Sequence, residues 1–337
     1  MRATIKDVAR RAGVSPKTVS DVMNLTSPVT PPVRARVEEA IATLGYVPNL
    51  SARGLRNGRT GLIALALPDL STWYSAEMAH HFVQAAGRRG LSVQIEETGI
   101  SGDRERQLVS RTRAHLIDGL ILNPVILDSV PELSGTALPP TLFIGEVAQS
   151  VADHVWIDNV GASREIVQHL IELGHGRIAA LGVMRTETSR LRLVGYHEAL
   201  ERAGIRRDPV LEIANDVWRP EGGYAAITAF LQSQPLPDAI YCFTDSMAFG
   251  VISALRSLGY QVPEDVSVVG YDNCADGQFT SPPLTTIDFD KAAYADIALR
   301  LLTRRIGQPD RPVEVVTVPH RLTVRSSSRS RSNNPGP

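Results

Sequence analysis

Cysteine is nearly absent. Cys242 and Cys274 are the only two in 337 residues, and without CxxC spacing or paired histidines nearby they support neither a disulfide framework nor a zinc site. Long apolar runs are missing too. Stretches such as Leu62–Leu67 and Ala239–Phe243 fall far below the roughly 18 residues that a membrane span requires. The charged start Met1-Arg2-Ala3-Thr4-Ile5-Lys6-Asp7 has no secretory pattern, so a cytoplasmic protein is expected. There is no P-loop, GxSxG or HExxH, and apart from His80-His81 the eight histidines are scattered. No catalytic constellation, cofactor or metal is therefore expected. Gly174–Ala179 fits GxGxxA but precedes a strand, the wrong side for a dinucleotide site. Only Lys6, Lys17 and Lys291 among the 35 basic residues are lysines, which reads as the codon bias of a GC-rich genome.

What remains is an ordinary globular composition, 43% apolar and 21% charged, long enough for two or three packed units. The net charge of −1 conceals an asymmetry. Residues 1–60 hold ten Lys/Arg against four Asp/Glu, a balance of +6, which leaves −7 for the rest. A basic first sixth on an acidic body suits a module that meets a polyanion.

Thr4 precedes Ile5, Val8, Ala9 and Ala12 at the spacing of one helix face, with Asp7 placed for a capping box. Gly13 ends this helix. Ser15-Pro16 starts a second as N-cap followed by proline at the first helical position, with Val19, Val22 and Met23 as its apolar face and Lys17, Thr18, Ser20, Asp21 and Asn24 opposite. Two short helices joined by a glycine-containing turn form a helix-turn-helix. Thr30-Pro31 repeats the cap signal before a third helix, whose stripe of Val33, Val37, Ala40, Ile41 and Leu44 is closed by Gly45. Basic residues 50–59 read as a linker.

From Gly61 onward strands and helices alternate. Strands are expected at Leu62–Leu67, Ser92–Glu96, Gly119–Leu122, Thr141–Ile144, His154–Ile157, Ile178–Val183, Ala239–Phe243, Ser267–Gly270 and Val313–Val318. Helices are expected near 75–89, 103–116, 160–173, 189–203, 221–233, 245–258 and 291–306. This is the pattern of two α/β units, each a parallel sheet wrapped by helices. The tail 326–337 has no apolar residue and is expected to be disordered.

These residues carry a specific resemblance. Thr4-Ile5-Lys6-Asp7-Val8-Ala9, Gly13-Val14-Ser15, Thr18-Val19-Ser20, Leu44-Gly45-Tyr46-Val47-Pro48-Asn49, Ala52-Arg53 and Leu55 resemble the headpiece and hinge of the LacI/GalR family of bacterial transcription regulators. In the body, Asp118–Leu122, Leu173-Gly174-His175, Asp245–Gly250, Val269–Asn273 and Pro283–Ile287 resemble the same family's markers. The resemblance implies an all-α helix-turn-helix headpiece at 1–47, a hinge at 48–60 and an effector-binding and dimerisation core at 61–325. That core would be an α/β, periplasmic-binding-protein-like body of two doubly wound parallel-sheet subdomains. It further implies a repressor, a homodimer on a pseudo-palindromic double-stranded operator, whose DNA affinity a small molecule controls.

The resemblance assigns DNA contacts to Thr4, Ile5, Ser15, Pro16, Lys17, Thr18, Ser20, Asp21, Asn24, Thr30, Tyr46, Asn49, Ala52 and Arg53, with Leu55 as a minor-groove wedge. It assigns the effector cleft to Trp73, Tyr74, Arg192, Trp218, Thr244, Asp245 and Asp272. Aromatic faces that cover a sugar ring and Arg/Asp groups that bond its hydroxyls make a sugar the expected effector. A purine or nucleoside stacked on the same rings is the alternative. The body alone would also fit a solute-binding protein, against which the headpiece argues.

Asp21 departs from the family, which usually carries arginine there. A carboxylate can accept from cytosine N4 and is repelled by phosphate, whereas arginine bonds guanine O6 and N7. Asp21→Arg is therefore expected to change the preferred half-site, with about 1–3 kcal/mol at stake per base contact. Selection from randomised half-sites tests this, and identical consensus sequences for both proteins would show that Asp21 reads no base.

Overall fold

The computed structural model describes residues 3–24, 27–46, 59–99, 101–113, 117–124, 138–146 and 151–331. For Asn24 and Arg113 only the backbone is described. The chain divides into two compact units, 1–60 and 61–337.

In the first unit, α1 (Ile5–Ala12) starts from a full capping box, with Thr4 and Asp7 bonding each other's backbone. It stops at Gly13, whose φ of +66° is the left-handed conformation a glycine adopts without cost. The Ser15 hydroxyl accepts from Thr18 N at 3.0 Å and so caps α2 (Pro16–Asn24). Thr30 occupies the N-cap of α3 (Pro31–Leu44), but its side chain makes no cap bond, contrary to the expected signal. Val8, Ala9, Ala12, Val19, Val22, Val37 and Ala40 are buried together as the core of this three-helix unit.

The second unit consists of two lobes. The first holds β1 (Leu62–Leu67), α4 (Trp73–Gly87), β2 (Ser92–Glu97), α5 (Gly102–Arg113), β3 (Gly119–Leu122), β4 (Thr141–Ile144) and β5 (Asp153–Ile157). The second holds α6 (Asn159–Glu172), β6 (Ile178–Val183), α7 (Glu187–Arg202), β7 (Glu212–Ala214), α8 (Pro220–Leu231), β8 (Ala239–Cys242), α9 (Asp245–Ser257), β9 (Ser267–Tyr271) and β10 (Thr285–Phe289). The chain then returns. Helix α10 (Lys291–Gly307) packs on α4 and the first sheet, β11 (Val315–Val318) pairs with β5, and β12 (His320–Thr323) pairs with β10. The sheet orders are β11-β5-β4-β3-β1-β2 and β12-β10-β9-β8-β6-β7, parallel throughout except where β12 meets β10. Three crossings, at 157–159, 289–291 and 318–320, therefore join the lobes. Among the described residues no helix is long and apolar enough to cross a membrane.

The central strands of each sheet are buried on both faces, so they read as the apolar runs recognised in the sequence, while the edge strands β2 and β11 are largely exposed. Three strands are not expected from the sequence. β7 has three residues, β12 is a polar edge, and β10 hides Thr285, Thr286 and Asp288 among its buried positions. Hydrogen bonds satisfy those three: Ser328 with Thr285, Asp245 with Thr286, and Arg321 with Asp288.

The tail corrects the expectation of disorder. Residues 326–331 run along the second sheet, while 332–337 lie outside the described residues. Val268 N donates to Ser327 O at 2.8 Å, Ser327 N to Pro283 O at 2.9 Å, and Arg331 N to Leu173 O at 2.8 Å. The Ser327 hydroxyl, fully buried, donates to Val268 O and accepts from Thr285 N. Order here comes from backbone and hydroxyl pairing, for which an apolar side chain is not needed. A chain ending at Arg325 leaves the buried N–H groups of Val268 and Thr285 without acceptors. It is expected to lose about 1–3 kcal/mol per orphaned group, to be read from urea melts. An unchanged midpoint would show that the tail only rests on the sheet.

Candidate functional site

Ser15, Pro16 and Lys17 are exposed at the start of α2, and Thr18, Ser20 and Asp21 are half-exposed after them. This is the end of a second helix that reaches base edges when a helix-turn-helix enters a major groove. Thr4 and Thr30 are exposed at the starts of α1 and α3. Ile5 and Tyr46, expected at DNA, are half-buried against the three-helix core and brace it. Asn49, Ala52, Arg53 and Leu55, and the side chain of Asn24, lie outside the described residues.

Between the two lobes lies a cavity of about 480 Å³. It opens beyond the carboxyl ends of the strands, where parallel sheets place ligands. Of the seven residues expected there, Tyr74, Arg192, Trp218, Thr244 and Asp272 line it. Two do not. Trp73 turns away and meets Phe249 edge-on, with centroids 5.2 Å apart. Asp245 is fully buried behind the cavity wall, accepting from Cys274 N at 2.7 Å and Thr286 Oγ1 at 2.6 Å, while Thr244 caps α9 through Met247 N.

Arg192, on α7 and 6% exposed, is the centre of the floor. Its Nε donates to Asn159 Oδ1 at 2.7 Å, its NH1 to Phe243 O, and its NH2 lies 3.7 Å from Asp272 Oδ1. The guanidinium sits 3.5 Å above the Tyr271 ring and 5.7 Å from the Trp218 ring. Trp218 is pinned by its Nε1, which donates to Gly182 O at 3.0 Å. The loop that carries it stays close to α9 because Gly250 has no Cβ; one built there would fall 1.8 Å from Pro220 O. Asp272 has φ +109° and Asn273 φ +46°, strained for residues with a side chain. The strain is held by Asp272 N on Ile287 O at 3.0 Å and by Lys291 and Arg325 on Asn273.

The residues not anticipated come from strand ends. Glu146 follows β4, Asn123 follows β3, Asp69 follows β1 and Asn159 follows β5, and all line the cavity. Asn159 ties the lobes together, its Nδ2 donating to Glu146 while its Oδ1 accepts from Arg192. The position just past a parallel strand was the available signal. Burial pushes the Glu146 carboxyl up to about 8 and Asp272 up to about 7, while the charge of Arg192 pulls both back.

The head matches the family model of bacterial regulatory proteins, lacI family, over residues 4–49, and the body matches that of the periplasmic binding protein-like domain over 167–328. The HTH-type transcriptional repressor PurR of Glaesserella parasuis is 34% identical to this chain over 97% of it and 99% of the relative. This chain belongs to the lacI family of bacterial regulatory proteins. The lac repressor dimer, solved bound to operator and the anti-inducer ONPF, is 30% identical, with coverage of 98% and 100% and a TM-score of 0.82. A complex of the transcriptional regulator CelR with cellobiose is 31% identical, with coverage of 97% and 100% and a TM-score of 0.72. The lacI-family chain is thus a DNA-binding transcriptional regulator whose core has the fold of ligand-controlled repressors.

The raised carboxyls give this lacI-family regulator a pH dependence of known sign. Glu146 titrates near 4.5 when unfolded and about 8 when folded, so between those values the folded chain binds more protons. Its contribution is complete below about 4.5 and is lost as pH rises through 8. Wild type is expected to lose more stability between pH 6 and 9 than Glu146→Gln, by on the order of 1–2 kcal/mol. Thermal melts of ligand-free protein read this; equal losses would assign the linkage to another group.

Proposed function

We propose that this regulator represses transcription as a cytoplasmic homodimer on a pseudo-palindromic operator, and that an uncharged sugar in the interlobe cleft controls its grip on DNA. The observation that carries the sugar is the pairing, in one cavity, of the pinned Trp218 indole and the Tyr74 ring with the polar floor of Arg192, Asp272, Glu146 and Asn159. A sugar ring has an apolar face for the indole and a hydroxyl rim for a carboxylate–guanidinium floor. About 480 Å³ has room for one or two rings. The cellobiose bound by CelR, a similar protein, supports the same class.

Dimeric binding follows from the head: one three-helix unit covers a single half-site, and two-fold symmetry supplies the second. With the charge balance of residues 1–60 at +6, affinity should fall steeply with salt. Mobility shifts on the DNA upstream of its own coding sequence, repeated with neutral mono- and disaccharides and with purines and nucleosides, test the reading. Release or tightening by a neutral sugar alone is expected; response to a purine alone would replace the ligand class, and failure to shift any inverted repeat would overturn the whole. Arg192→Ala should keep operator binding and lose the sugar response. It should also destabilise the core by about 3–5 kcal/mol, since Asp272 stays buried without its counter-charge.

A further inference from the structure

Among the described residues, most polar ties between the lobes lie at the floor or back of the cleft, and one stands at its rim. Asp69, two residues past β1 in the first lobe, meets Arg219, the N-cap residue of α8 in the second, with Oδ2 and Nε 2.6 Å apart. Both side chains line the cavity, so their bond spans its mouth.

The two partners are not equivalent. The Asp69 carboxylate is preset by its own lobe, since Oδ1 accepts from Ser71 N at 2.9 Å and Ser71 Oγ at 2.7 Å. In its own lobe Arg219 has, among the described residues, a weaker ion-pair partner in Glu221, at 3.8 Å. Its backbone is fixed by Pro220 at the start of α8 and by the pinned Trp218 beside it. Asp69 is thus a ready receptor and Arg219 an arm reaching over to it. The lobes cannot separate at the rim without parting this pair.

We propose that the Asp69–Arg219 ion pair is a latch across the cleft mouth that sets the balance between closed and open lobes. Its regulatory consequence, the retention of ligand, rests on the ligand reading above; the latch itself does not. With the Arg219 side chain 43% and the Asp69 side chain 24% exposed, water screens the pair, so its weight is about two- to fivefold in the ratio of closed to open and fades at high salt. It tunes closure, whereas the Arg192 floor supplies recognition.

Hydrogen–deuterium exchange of the full chain, free of DNA and sugar, reads the balance directly. Asp69→Asn keeps an acceptor for Ser71 but removes the charge, and Arg219→Gln keeps a polar side chain without it. Each is read in the opposite lobe: Asp69→Asn over residues 215–223, Arg219→Gln over 68–75. Exchange there should quicken about two- to fivefold in either variant and no further in the double variant, and 1 M NaCl should bring wild type to the same rates. Changes confined to the substituted lobe, or effects that add in the double variant, would overturn the latch. If coupling across the cleft is seen while no sugar affects operator binding, the latch stands and the sugar reading fails.

Discussion

A guanidinium that is 6% exposed dictates much of the core. Removing a charge from water costs several kcal/mol unless fixed partners replace the solvent, and Arg192 obtains them from four residues on three segments: Asn159 after β5, Phe243 after β8, and Tyr271 and Asp272 at and beyond the end of β9. The strained backbone at Asp272 is tolerated because Ile287, Lys291 and Arg325 hold it from outside. With the floor satisfied in this way, burial still raises both the Glu146 and Asp272 carboxyls, because the charge of Arg192 offsets only part of their desolvation. A neutral, hydroxyl-rich ligand suits such a floor, since it brings donors and acceptors without a further buried charge.

The same floor spans both lobes. Glu146 belongs to the first and Asn159 and Arg192 to the second, so a molecule that bonds all of them favours one relative position of the lobes. A ligand can move such an equilibrium only by the difference in its affinity for the two states. Contacts shared across the cleft therefore count for more than contacts within either lobe. The rim pair belongs to this class, and so does Glu77, which takes Lys291 Nζ at 2.9 Å and Ala275 N at 2.6 Å behind the cleft.

Local order was legible because it rests on short-range physics. The Thr4 box, Gly13, Ser15 before Pro16 and the apolar runs of buried parallel strands each declare themselves within a few residues, as do Arg192, Trp218 and Asp272 once their motifs are seen. The sequence by itself thus determined the helical head, the alternating body and two members of the cleft floor, Arg192 and Asp272. Only the tertiary structure decided which of two neighbours faces the cavity. Trp73 and Tyr74 are consecutive on α4 and so point about 100° apart; the docking of that helix turns Tyr74 inward and Trp73 toward Phe249. Thr244 and Asp245 part as well, the extended N-cap residue lining the cavity while the first helical residue is buried behind its wall. Glu146, Asp69 and the serines of the tail acquire their roles from strands and loops distant in sequence, through pairings that no local pattern encodes.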